Sequence, residues 1–594
     1  MRNLKSTPFG RLTASLFLGL LLIGGLALAL AGTVSPALAA TCTVTPGSGA
    51  YPSIQAAIND VNCDPISVPA GTHTENLTIG RSLTLNGAGK TSTIINGGGT
   101  DRVVTIDGSG IVVYINDLRL TNGDATGVLT GPNLGGGILA TGGATLRGEN
   151  LQIDNNIAST GVSGFGGGLA ANNGAAYLTS TTIYSNVANQ RAGVLTGNGQ
   201  GGGLYVNIGT LQMANSQVLS NVAAYRAGSG DFASGGGLHV NADTQVYLSG
   251  NTWQGNVARG SNSEPCDGDT CATGLDHEGG GAIGSSFPTG TASITITKDI
   301  FIGNIANNVS SPGGDNAARG GAIALNTSNT AGQITANFSD ITMTQNIAVI
   351  ESSGTDPDDE GRGGAIYARH TDITVERANI YNNQAAASGK GSGGGFYTRD
   401  PLANHSVEII NSVLAGNLAS GNGEGAQVYV NHVSSPANNV TKIVYSTLAD
   451  DTLNPKEALF YHSTDASDTL AITNTIVASH AVGIQNVNVT GRGTARYMLF
   501  FGNTDNHPSP GAVAFPDETG WVAGDPNPLF VDPPGNDYHI QFNSPAKDAA
   551  IDEGITDDID GDFRPDPDSS GFDIGADEFT LSKAYMPVIL KNYP

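Results

Sequence analysis

The chain of 594 residues has four cysteines, two tryptophans, and only 26 lysines and arginines against 52 aspartates and glutamates. The shortage of basic residues leaves a formal net charge of −26, which disfavours nucleic acid and anionic membranes as partners. Aromatic residues make up 6% of the chain, which argues against a broad stacking platform. The hydrophobic share of 39% is low for one large spherical core but adequate for a thin, additive one. The long apolar run lies at the start. Arg2, Lys5 and Arg11 precede an apolar stretch over residues 16–31, and Ala37-Leu38-Ala39 is a small-residue cleavage signal. Residues 1–40 are therefore expected to be a signal peptide cleaved after Ala39 or Ala40, with an uncleaved anchor as the alternative. The mature chain is expected to be secreted or displayed at the cell surface, with no membrane span after cleavage. In an exported chain the even cysteine count suggests two disulfides, Cys42 with Cys63 and Cys266 with Cys271. The second pair read as metal ligands lacks the further Cys or His pair of a tetrahedral site.

Glycine is abundant, with 84 residues. Eight times between residues 135 and 396 two glycines and a glycine or alanine precede a bulky apolar residue: Ile138, Leu169, Leu204, Leu238, Ile283, Ile323, Ile366 and Phe396. Each block is followed by Asn-x-Ala, at Asn156, Asn186, Asn221, Asn256, Asn304, Asn346, Asn383 and Asn417. From anchor to asparagine the spacing is 17 to 23 residues; from asparagine to the next anchor it is 13 to 27. A fixed recurring stretch is a structural coil, and a variable one is a loop inserted at its corner. Within the fixed stretch, runs such as Leu204-Tyr-Val, Leu211-Gln-Met and Ser216-Gln-Val-Leu alternate at period two, predicting strands of three to five residues. Three such strands, bent at glycine and asparagine, make one turn of a parallel β-helix. The asparagines are expected at a corner, their amides bonded to the coils above and below.

Residues 51–59 (YPSIQAAIN) predict a short amphipathic helix covering the open end of the first coil. The segments that follow, including VVTIDG and VVYINDLRLTNG, read as strands closed by Asn-Gly or Asp-Gly turns. This stretch resembles the N-terminal cap and first coils of the pectate-lyase-like, right-handed β-helix superfamily. Gly280-Gly-Ala-Ile283, Gly320-Gly-Ala-Ile323 and Gly363-Gly-Ala-Ile366, with Phe301-Ile-Gly-Asn304, match the paired GGA[ILV] and FxxN repeats of the polymorphic outer membrane proteins. Ile183, Val218 and Trp253 stand where that family has Phe. That resemblance implies a surface-exposed, adhesin-like passenger, although too little chain follows residue 440 for a translocating barrel. Residues 525–579, with DPNPLFVD, DIDGD and DIGADEF in order, resemble the choice-of-anchor end module found after secreted bacterial β-helices. That resemblance implies a C-terminal cap.

The expected organisation is thus a signal peptide over 1–40, a single-stranded right-handed parallel β-helix over 41–524, an acidic end module over 525–579 and a tail over 580–594. Within the β-helix, 41–130 are the cap and early coils, 131–430 the Gly-Gly coils with lateral loops, and 431–524 the last coils. Adhesion or scaffolding without catalysis is the first functional reading, with polysaccharide or cell-surface ligands bound through the lateral loops. A polysaccharide lyase or glycoside hydrolase is the alternative. For an enzyme, the candidate residues are Arg369, His370, Asp372 and Asp505. Alternation would set Arg369 with Ile373 and Val375, and His370 outward beside Asp372. Asn503-Thr-Asp505 matches one polygalacturonase element whose companion elements are missing. No cofactor is required on this reading. In the end module, Asp558, Asp560 and Asp562 offer several oxygens in one short turn, for which calcium is the natural counterion.

Overall fold

The computed structural model describes residues 42–127, 133–161, 163–190, 197–224, 232–260, 279–309, 317–351, 360–386, 389–400, 404–432, 438–488, 493–507, 515, 517–567 and 571–580. The chain divides into two compact units, Met1–Ala39 and Ala40–Pro594. The first lies wholly outside the described residues, and with it the expected signal peptide.

The second unit is a single-stranded parallel β-helix. Its coils stack in register: Leu77 pairs with Val104, Val104 with Ile138, and the column continues through all eight repeat anchors to Val428, Leu459 and Ile484. Every member of that column is buried. The coils therefore begin before the first Gly-Gly block and continue beyond the last one. A representative coil has strands Leu204–Asn207, Gly209–Ala214 and Gln217–Leu219, then two shorter ones, Val222–Ala224 and Ala233–Ser234. The first three are the strands expected from alternation. The last two flank the variable loop and pair only briefly with their neighbours. Inward positions of the third strand form a second column through Ile153, Ile183, Val218, Trp253, Phe301 and Met343. Ile183, Val218 and Trp253 thus fill the same buried row as Phe301.

The Gly-Gly block has two separate physical causes. Gly201 has φ +67, in the left-handed region that favours glycine. A Cβ on Gly202 would meet the carbonyl oxygen of Gly236 in the following coil. The third position tolerates alanine, as Ala282, Ala322 and Ala365 show. The repeat asparagines form the expected ladder. Asn156, Asn186, Asn221, Asn256, Asn304, Asn346, Asn383 and Asn417 are fully buried. Each Nδ2 donates to the next Oδ1 at 2.9–3.0 Å. Each Oδ1 also accepts the preceding asparagine's backbone N–H, so the corner is satisfied without water.

Both ends are closed. The helix covers Ile54–Asn59, shorter than the predicted 51–59 because Ser53 takes the N-cap and accepts from the Ala56 N–H. It buries Ile54, Ala57 and Ile58 against the first coil. The Cys42–Cys63 disulfide is formed, with Cα atoms 5.5 Å apart. Cys266 and Cys271 fall outside the described residues. At the far end Phe515 and Trp521 pack over the last coil, Trp521 against Phe500 with ring centroids 4.9 Å apart. The acidic end module lies elsewhere. Tyr538, Ile540, Ala546, Ile574 and Ala576 cover Val413, Ala415, Ala449, Ile476 and Ala478, the outward residues of third strands in successive coils. The module expected as an end cap folds back along the flank of the β-helix, where an apolar outer face receives it.

Candidate functional site

The second strand of each coil directs alternate residues outward, and in consecutive coils these form a row. Tyr114 is in register with Arg147, Arg147 with Tyr177, Tyr177 with Gln212, and Gln212 with Tyr247. Their inward neighbours, such as Ile115, Leu146, Leu178, Leu211 and Val246, are buried. Alternation therefore fixes the outward direction of the row. Tyr114 and Tyr247 are each 43% exposed. The Arg147 guanidinium lies over the Tyr177 ring at 4.4 Å, which holds both side chains in place. Tyr114, Arg147, Tyr177 and Gln212, with Asn116, Glu149 and Thr179 beside them, line a cavity of about 270 Å³. A second depression, about 490 Å³, continues along the same sheet between Gln245, Ser293 and Thr335. Four of the five stand eight or nine positions after a repeat anchor: 147 after 138, 177 after 169, 212 after 204 and 247 after 238. Aligning the repeats on the anchors and reading outward positions is the sequence signal that would have found it.

Of the candidate residues expected for an enzyme, His370 and Asp372 both adjoin His405, His370 by ring stacking at 5.9 Å, whereas Asp505 lies apart. His370 has φ +52 and stands at the bend between strands Ile366–Arg369 and Thr371–Glu376. That bend resets the alternation. His370 turns inward and is buried, so the expected outward pairing with Asp372 is replaced by a contact between its Nδ1 and the Thr327 carbonyl at 2.6 Å. Asp372 instead stands beside His405, 3.4 Å from its Nδ1, and accepts from the Gln333 amide at 3.0 Å. Arg369 belongs to the preceding strand, in register with Asn326 and Arg399. Asp505 is exposed and pairs with Val482, five coils further along, or ~24 Å at about 4.8 Å per rung. The variable loops expected to bind ligand fall largely outside the described residues, including 191–196, 225–231, 261–278, 310–316 and 352–359.

No protein-family model and no curated protein matches the chain. Solved structures do. The catalytic domain of a GH87 α-1,3-glucanase in complex with nigerose is 12% identical, with a TM-score of 0.32, covering 81% of this chain and 70% of its own. The A-module of the Azotobacter vinelandii mannuronan C-5 epimerase is 12% identical, with a TM-score of 0.26, covering 78% and 91%. Carrot pectin methylesterase is 11% identical, with a TM-score of 0.23, covering 53% and 85%. At such identities the likeness concerns the fold alone.

In the end module the three aspartates expected around calcium have different roles. Asp558 is fully buried and its carboxylate accepts the N–H groups of Asp560, Asp562 and Glu578, which shapes the turn. Burial raises its pKa. Asp562 is exposed. Asp560 points to His539, whose Nε2 is 2.7 Å from its carboxylate. The bond to Asp560 outweighs burial and, with Asp537, pushes the His539 imidazole up to about 10. Asp577, buried beside them, is pushed up to about 7 by loss of solvent. The sequence reading missed His539 and Asp577 because 21 and 17 residues separate them from Asp560 (560 − 539 and 577 − 560).

Proposed function

We propose that this protein is a secreted or cell-surface β-helix that binds polysaccharide without cleaving it, along the outer face of its second strands. The row Tyr114–Arg147–Tyr177–Gln212–Tyr247 is the observation that carries it. Exposed aromatic rings offer flat apolar faces to the C–H faces of sugar rings, at low conformational cost. Arg147 and Gln212 supply the fixed polar groups that recognise hydroxyls or carboxylates. The row repeats at the coil spacing, so it suits a polymer with a repeating unit better than a single small molecule.

A polysaccharide-active enzyme is the second reading, and the names of the glucanase, epimerase and methylesterase neighbours keep it in view. The groove itself favours binding. Glycoside hydrolysis requires a pair of carboxyl groups across the bond to be cut. Among the described residues, the first depression has Glu149 as its one carboxylate and the second has Asp243 as its one carboxylate. The test is to pass residues 41–594 over immobilised acidic and neutral polysaccharides and to measure both retention and new chain ends. Retention without new ends is expected. New reducing or unsaturated ends would replace the first reading with the second, and absence of retention on every polymer would overturn both.

A further inference from the structure

The seam between the end module and the coils contains a group of side chains that the polysaccharide groove does not use. Asn379, Tyr381 and Val413 from the coils face Tyr538, His539, Asp560 and Asp577 from the module across a cavity of about 110 Å³. One ligand atom from each of His539, Asp560 and Asp577 lies within 4.8 Å of the other two. His539 is held from behind: its Nδ1 faces the Asp537 carboxylate while Nε2 points to Asp560. A carboxylate behind an imidazole is the arrangement that fixes the tautomer and orientation of a metal-ligating histidine. Asp577 is 8% exposed, with one oxygen taken by the Ile540 N–H at 2.7 Å. Among the described residues lining the cavity there is no Lys or Arg, so Asp560 and Asp577 meet a single imidazole. A buried carboxylate with so little compensating charge is costly unless a cation joins it.

We propose that His539 Nε2 and the carboxylates of Asp560 and Asp577 hold a zinc ion that ties three segments of the end module together where the module meets the β-helix. One imidazole nitrogen with two carboxylate oxygens, completed by water, is a zinc donor set. Calcium takes six to eight oxygen ligands, roughly twice what these two carboxylates can offer. On binding, zinc displaces the Nε2 proton to solvent and Asp560 turns from the imidazole to the ion. Nδ1 keeps its proton and donates it to the Asp537 carboxylate. The site is independent of the groove, so polysaccharide binding and zinc binding succeed or fail separately.

The test uses residues 41–594 stripped with chelator and titrated calorimetrically with zinc, manganese and calcium chlorides. One zinc per chain is expected, with a dissociation constant in the micromolar range or below. His539→Gln and Asp577→Asn should each weaken it at least tenfold, while Asp562→Asn, in the same acidic turn, leaves it unchanged. Asp560→Asn serves as a second probe because its side chain is 56% exposed and its loss does not open the core. X-ray absorption of the zinc-loaded wild-type chain should show one imidazole among nitrogen and oxygen neighbours. Absence of stoichiometric zinc binding, binding of calcium alone, or zinc binding unaltered by H539Q and D560N would each overturn the proposal.

Discussion

Asn221 accepts the backbone and side-chain N–H groups of Asn186 and donates to the Asn256 Oδ1 and the Ile183 carbonyl. Replacing it with alanine leaves several buried polar groups without partners, so Asn221→Ala should cost at least about 2 kcal/mol, seen as a lowered unfolding midpoint. A loss below about 0.5 kcal/mol would mean that the ladder is decorative. Asp299 tests a different property. It is fully buried in a parallel corner row, accepting from Asn251 and from the Trp253 indole N–H at 2.8 Å, and burial pushes its pKa up to about 6. The folded state therefore holds a proton that the unfolded chain, with an ordinary carboxyl near 3.8, has released. This contribution is present below pH ~4 and is lost as pH rises through about 6. Asp299→Asn should flatten that part of the stability profile; an unchanged slope would exclude Asp299 as its source. The ladder was legible in the sequence because each member recurs 17 to 23 residues after its anchor, a narrower range than the 13 to 27 of the loops. The role of Asp299 was not, because it occupies the position that Asn251 holds one coil earlier and nothing local marks the exchange.

At the scale of elements, two strands of similar pattern have different outer faces. Thr371–Glu376 directs Asp372, Thr374 and Glu376 outward, whereas Ala175–Thr179 directs Tyr177 out beneath Arg147. If the groove binds polysaccharide, Tyr177→Ala should weaken retention roughly three- to tenfold, equivalent to ~0.5–1.5 kcal/mol, without shifting the unfolding midpoint. Arg147→Ala should act in the same direction, since it also releases the Tyr177 ring. Equal retention of both variants would move the binding surface away from these strands. The strands themselves followed from period-two alternation. The bend at His370 did not: its φ of +52 reverses the direction that alternation alone assigns to that side chain.

Within the unit of residues 40–594, the end module is held by a column of corner residues in successive coils. Arg377 bonds to Asp557 at 2.9 Å, the Asn411 amide to the Asp557 carbonyl at 2.8 Å, and the Asn474 amide to the Ile551 carbonyl at 2.7 Å. Tyr445 donates its hydroxyl hydrogen to the same Ile551 carbonyl. Below them lies the apolar face of Val413, Ala415, Ala449, Ile476 and Ala478. A chain ending at residue 524 should expose that face, self-associate in size-exclusion chromatography and bind a hydrophobic dye. A monodisperse, dye-silent product would show that the module is an independent appendage. The sequence alone determined the β-helix, its Gly-Gly corners and its asparagine ladder, because stacking places residues about one repeat apart in contact and periodicity records that contact directly. Only the tertiary structure decided where the end module rests and that His539, Asp560 and Asp577 converge. Those contacts join segments that do not repeat, and they depend on side-chain fit across a seam that no local pattern encodes.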